Sequence, residues 1–148
     1  MRPKKQNDHR YPYRRESELV HDLADALAEP RSELRSSASL TEFPHPTGRT
    51  DLIAKSSCGD LIAFETKLLN WKRAVQQAYR NSSFAHYSYV VVPPNVAERA
   101  VISDREFLRR KVGLCTIREG RITIAIPAPR QEPLLPWVTE LANCTIGV

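Results

Sequence analysis

The segment Leu61-Ile-Ala-Phe64 is apolar at every position and runs without a break into Glu65 and Lys67. A strand that is apolar on both faces belongs in the middle of a sheet covered on both sides. Packing gives such a strand no reason to end in charge, because a buried carboxylate loses its hydration. The chain should therefore be layered, with two charged groups at the end of its most buried strand. Residues two apart on a strand share a face, so Glu65 and Lys67 should point the same way, beside the small Ala63.

The neighbouring sequence supplies the layers. Leu19, Val20, Leu23 and Leu27 form one stripe of a helix over Glu16 to Ala28, which Pro30 stops. Residues 36–43 read as extended and lead into the loop His-Pro-Thr-Gly-Arg. Asp51-Leu-Ile-Ala pairs with the Leu61 strand as a hairpin across Ser-Ser-Cys-Gly-Asp, where Asp60 is placed to cap the turn beside Gly59. Asn70 can cap a helix from Trp71 to about Asn81, whose inner stripe is Trp71, Ala74, Val75 and Ala78. A strand over 87–92, a helix over 95–111 and a hairpin through Glu119-Gly120 follow, then a Pro-rich stretch with a short helix near Trp137 to Cys144. Hairpins with one helical crossover predict an α/β fold in the broad sense (α+β): a single domain with a central mixed sheet flanked by helices. The divisions are a basic tail at 1–13, a domain at 14–126, and a Pro-rich extension at 127–148 that packs on the domain or forms an interface.

Charge narrows the partners. The 148 residues carry a net +5, and six basic residues against Asp8 alone fall in the first fifteen, so the remaining chain is charge-balanced. The basic excess suggests a polyanionic partner. No apolar run approaches the ~20 residues of a membrane span. Cys58, Cys115 and Cys144 form no C-x-x-C pair. They read as mostly buried reduced thiols, and with a polar N-terminus they place the chain in the cytoplasm.

The acids can converge. Antiparallel pairing would bring Asp51 close to Glu65, and Glu16 lies on the buried stripe of the first helix while Glu18 faces solvent. Gathered carboxylates raise one another's pKa unless a cation joins them, and oxygen-only ligands suit Mg2+ or Mn2+. Lysine cannot be a ligand; Lys67 would orient or deprotonate the attacking water. Each residue also has an ordinary role open to it. Glu65 and Lys67 could be a surface ion pair, Asp51 a turn cap, and Glu16 a first-turn acid.

Helix-Glu16, then Thr50-Asp51, then Glu65-Thr66-Lys67, then a helix, resembles the PD-(D/E)XK nuclease superfamily of restriction-endonuclease-like folds, with an αβββαβ core. The Glu16-Ser-Glu18-Leu19-Val20 segment is similar to the first helix of archaeal Holliday-junction resolvases, which belong to it. The resemblance implies that Asp51, Glu65 and Glu16 bind Mg2+ (or Mn2+), that Lys67 handles the water, and that Gln77, rather than Gln76, joins the catalytic set. The Gln-to-Tyr79 spacing departs from the RecB-like pattern. Thr50 stands where the family has proline, a turn residue that binds no metal.

The activity expected is metal-dependent hydrolysis of DNA phosphodiesters, with RNA left open. Lys72, Arg73, Arg80, Arg49, Arg14 and Arg15 are the candidate phosphate contacts, and Arg105, Arg109, Arg110 and Lys111 extend the basic wall. The alternatives are a catalytically silent nuclease-fold binding module or complex subunit, and an interaction protein whose carboxylates are ordinary ion pairs. A homodimer is one way to cut two strands, with Leu134, Leu135 and Trp137 as candidates for its interface.

Overall fold

Six strands lie side by side in chain order, β1 to β6, in one mixed sheet. The computed structural model describes residues 13–147, so the basic tail, apart from Tyr13, lies outside the described residues. Helix α1 (Glu16–Ala28) precedes β1 (Ser36–His45), β2 (Gly48–Ser56) and β3 (Leu61–Thr66). Helix α2 (Trp71–Asn81) and β4 (Tyr87–Val91) follow. Then come α3 (Pro94–Ala100), a 3-10 turn (Val101–Ser103), α4 (Asp104–Arg110), β5 (Gly113–Arg118), β6 (Arg121–Ile126) and α5 (Pro136–Ile146).

The sheet is antiparallel at both margins and parallel across β3, β4 and β5. There are thus two helical crossovers, where the sequence suggested one. The second is the segment expected as a single helix over 95–111. It breaks at Val101–Ser103, where Ser103 and Asp104, with Glu106 behind them, supply a fresh helix start.

Every residue of β3 is buried, and its side chains divide between two covering layers. Ile62 and Phe64 pack under α1 with Leu19, Leu23, Leu52 and Tyr89. Leu61 and Ala63 face α5 with Phe43, Phe84 and Val138. Helices α2, α3 and α4 cover β4 and β5 through Ala74, Val75, Ala78, Val96 and Phe107. Glu18 is exposed, as expected, and its carboxylate accepts the N–H groups of Arg14 (2.8 Å) and Arg15 (3.4 Å) at the start of α1.

The C-terminal segment packs on the domain. Arg130 makes two hydrogen bonds to Asp60, of 2.9 and 3.0 Å, so Asp60 binds a distant guanidinium as well as the Cys58 thiol of its own turn (3.7 Å). The guanidinium holds the Asp60 carboxyl below the usual range. Helix α5 grips the turn after α2: Leu135 N–H donates to Ser83 O (2.8 Å) and Thr139 Oγ1 to Phe84 O (2.6 Å). Leu135 packs inward, whereas Leu134 (82% exposed) and Trp137 (59%) face outward. Of the cysteines only Cys115 is buried; Cys58 sits in the β2–β3 turn and Cys144 on the open side of α5, both exposed. No described helix is long and apolar enough to cross a membrane.

Gly113 marks the tightest backbone approach. A Cβ there would stand 2.7 Å from Ile126 O and closer still to the Tyr89 ring. That ring cannot easily yield: it stacks on Phe64 (5.9 Å) and its hydroxyl accepts the Ala128 N–H (3.2 Å). Gly113→Ala should lower stability by about 1–3 kcal/mol, the usual range for overpacking. A denaturation midpoint unchanged from wild type would contradict this.

Candidate functional site

Strand β3 carries Glu65 out of the apolar layers, yet the residue remains only 2% exposed. Its Oε2 accepts a hydrogen bond from Asn81 Nδ2 at 2.9 Å. Leu52 pairs with Phe64, so one further step sets Asp51 opposite Glu65. Asp51 is fixed by Thr66, whose N–H (2.8 Å) and hydroxyl (3.0 Å) both donate to Asp51 Oδ2. Burial, and next the Asp51 charge, push the Glu65 carboxyl up to about 8, while Asn81 and Lys67 pull the other way.

Lys67 lies just past the end of β3. Its Nζ is 3.7 Å from Glu16 Oε2. Lys67 N–H donates to Val91 O at 3.1 Å, and its charge also acts on the Glu65 carboxyl. Among the described residues, Glu16, Asp51 and Glu65 do not bring three ligand atoms within 4.8 Å of one another; the group that does is the exposed His21, Asp22 and Asp25 on α1. The arrangement is a close Asp51–Glu65 pair, with Glu16 attached through Lys67.

Beside Glu65 opens a cleft of about 120 Å3. Asn81, Gln77 and Arg80 line it from α2, and His45, Thr47, Gly48 and Arg49 from the β1–β2 turn. Gln77 is half-buried, and its Oε1 is buried with no partner, whereas Gln76 faces solvent. Tyr79 points elsewhere, under the Arg110 guanidinium at 5.4 Å. Lys72 lies over the Trp71 ring; it, Arg73, Arg14 and Arg15 are exposed and outside the cleft lining. Arg49 pairs with Glu42 at 3.2 Å.

Three residues of this site were given no role in it from sequence. Asn81 ends α2 in phase with Ala74 and Ala78, a polar group on a buried stripe, and that phase is the signal that could have found it. Thr50, which replaces the expected proline, is fully buried; its hydroxyl donates to Asn81 Oδ1 at 2.8 Å. His45 Nε2 lies 2.9 Å from the same hydroxyl. Burial and the nearby Arg80 hold His45 below its ordinary pKa.

No protein-family model matches the chain, and no curated protein matches it. Solved structures are similar to the chain. One of them is a protein of unknown function from Silicibacter pomeroyi, with a TM-score of 0.66 and 17% identity over 90% of this chain and 84% of its own. The likeness is one of fold.

Chemically, the pair suits a hard divalent cation. Asp51 and Glu65 offer oxygen donors only, and a cation would offset the cost of burying the Glu65 charge. Within the cleft Glu65 meets the guanidinium groups of Arg49 and Arg80; Asp51, Lys67 and Glu16 are not among the residues that line it.

Proposed function

We propose that the chain is a divalent-metal-dependent nuclease of the PD-(D/E)XK type that hydrolyses DNA phosphodiesters. The observation that carries this reading is the buried Glu65, acted on by the charges of Asp51 and Lys67 and lining a cleft with Arg49 and Arg80. Asp51 and Glu65 would hold Mg2+ or Mn2+, with Glu16 nearby. Such an ion supplies positive charge to the phosphoryl oxygens and makes water more acidic.

The chain's own residues do the rest. Lys67, its ammonium steadied by Glu16, orients the attacking water and handles its proton. Thr66 keeps Asp51 aimed by two hydrogen bonds. Arg49 and Arg80 can take non-bridging phosphate oxygens with paired N–H groups. The unpartnered Gln77 oxygen is free to accept a hydrogen from water or substrate.

Purified protein incubated with supercoiled, linear and branched DNA should cut in Mg2+ or Mn2+ and stop on chelation. If no substrate, RNA included, is cut and wild type matches Lys67→Ala, the enzyme is ruled out. DNA binding without cleavage would then select the binding module. Binding should weaken as salt rises, and Arg49→Ala or Arg80→Ala should each reduce the slope of log K against log salt by about 1. An unchanged slope in both would remove them from the phosphate contacts.

A further inference from the structure

We propose that Thr47, His45, Thr50 and Asn81 form a one-directional hydrogen-bond chain that fixes the Asn81 amide as a donor to Glu65. Asn81 and Thr50 are then positioning residues for that carboxylate, an inference that rests on the metal-site reading above.

The direction follows from counting hydrogens. The single Thr50 hydroxyl hydrogen is committed to Asn81 Oδ1 at 2.8 Å. Thr50 Oγ1 can therefore only accept from His45 Nε2 at 2.9 Å, so that nitrogen carries the proton. In a neutral ring Nδ1 is then the acceptor, and Thr47 Oγ1, 3.0 Å away, donates to it. Every link donates toward Glu65. Phe43 and Phe84 hold the imidazole, with ring centroids 5.8 and 4.9 Å from its own.

The chain matters because an amide has two orientations of nearly equal shape. Turned over, Asn81 would set its oxygen against the Glu65 carboxylate, acceptor against acceptor, and its NH2 would donate to Thr50 Oγ1, sending the hydroxyl hydrogen to His45 and reversing the chain. With Thr50 as donor only one orientation is satisfied, and it places N–H on Glu65 Oε2. That bond favours the charged carboxylate and leaves its other oxygen for the Asp51 side, where the cation would sit. The fully buried Thr50 thus connects the cleft turn to the acid pair.

The test uses the full chain, labelled with 15N-histidine, and Mn2+ titrated by calorimetry. Wild type should show His45 as the Nε2–H tautomer. Thr50→Val keeps the shape but removes the hydroxyl; it should mix the tautomers and weaken Mn2+ binding by about 10-fold. Thr50→Ser should restore both. Asn81→Ala should weaken binding by about 10- to 100-fold, and Glu65→Gln should abolish it. His45→Phe, which breaks the chain one link further out, should weaken Mn2+ binding several-fold and serves if Thr50→Val does not fold. If Thr50→Val and His45→Phe bind Mn2+ like wild type while Glu65→Gln does not, the chain has no positioning role although the metal site stands. If wild type and Glu65→Gln bind Mn2+ alike, the metal-site reading itself falls, and the chain's role with it.

Discussion

Glu65→Gln should make the metal-free protein more stable while abolishing cleavage. The sign follows from linkage. The Glu65 carboxyl has an ordinary pKa of 4.5 and lies at about 8 in the folded chain. Between these values the folded state keeps a proton that the unfolded state has released, so stability falls as pH rises through the window and levels off above it. The full penalty is about 3–5 kcal/mol, a large fraction of a typical domain's stability. Glutamine has the same shape and no charge; it can accept from Asn81 and donate to Asp51. Urea denaturation at pH 5 and pH 8.5, both in chelator, should show wild type losing stability and Glu65→Gln losing much less. Mn2+ at pH 8.5 should narrow the gap by stabilising wild type alone. Parallel losses in the two proteins would show that Glu65 does not titrate in this window.

Lys67→Ala should lower turnover by about 10²- to 10⁴-fold, the usual size of an acid–base contribution. It should leave Mn2+ affinity and the folded state close to wild type, because the lysine is neither a ligand nor part of an apolar cluster. Single-turnover cleavage of an end-labelled duplex at saturating Mn2+ isolates the step. Arginine should not rescue it, since a guanidinium stays protonated. Glu16→Gln, which removes the partner at 3.7 Å, should cost less than losing the lysine. A Lys67→Ala loss of less than tenfold would assign the proton to another group.

Much of the scaffold was legible because local signals agreed. The Glu16–Ala28 and Trp71–Asn81 helices sit where apolar periodicity, Pro30 and the Asn70 cap put them, with Asn70 accepting the Arg73 N–H at 3.2 Å. The uniformly apolar Leu61–Phe64 run announced a strand covered on both faces, and β3 is one. The break at Val101–Ser103 was harder to see, since the apolar residues continue on both sides of it. Cys58 and Cys144 show how a residue type's average burial fails at a turn and on an outer helix face.

The acids were legible as breaks in an apolar pattern; the groups that hold them were not. Thr50 and Asn81 are 31 residues apart, and nothing local joins a hydroxyl on one strand to an amide at the end of a later helix. Sequence distance also hid the pairing at Asp60, whose guanidinium partner lies 70 residues on. Polar pairs formed across the fold leave no period to read.

The grip of α5 on Ser83 and Phe84 has a consequence for how the molecule is made. Asp51, Glu65 and Lys67 all precede α5 in the chain, so they leave the ribosome before it. The clamp behind α2 comes from the last of the described elements. A nascent chain that has reached Ile126 holds Asp51, Glu65 and Lys67, while the brace behind Asn81 and its cleft is still being synthesised.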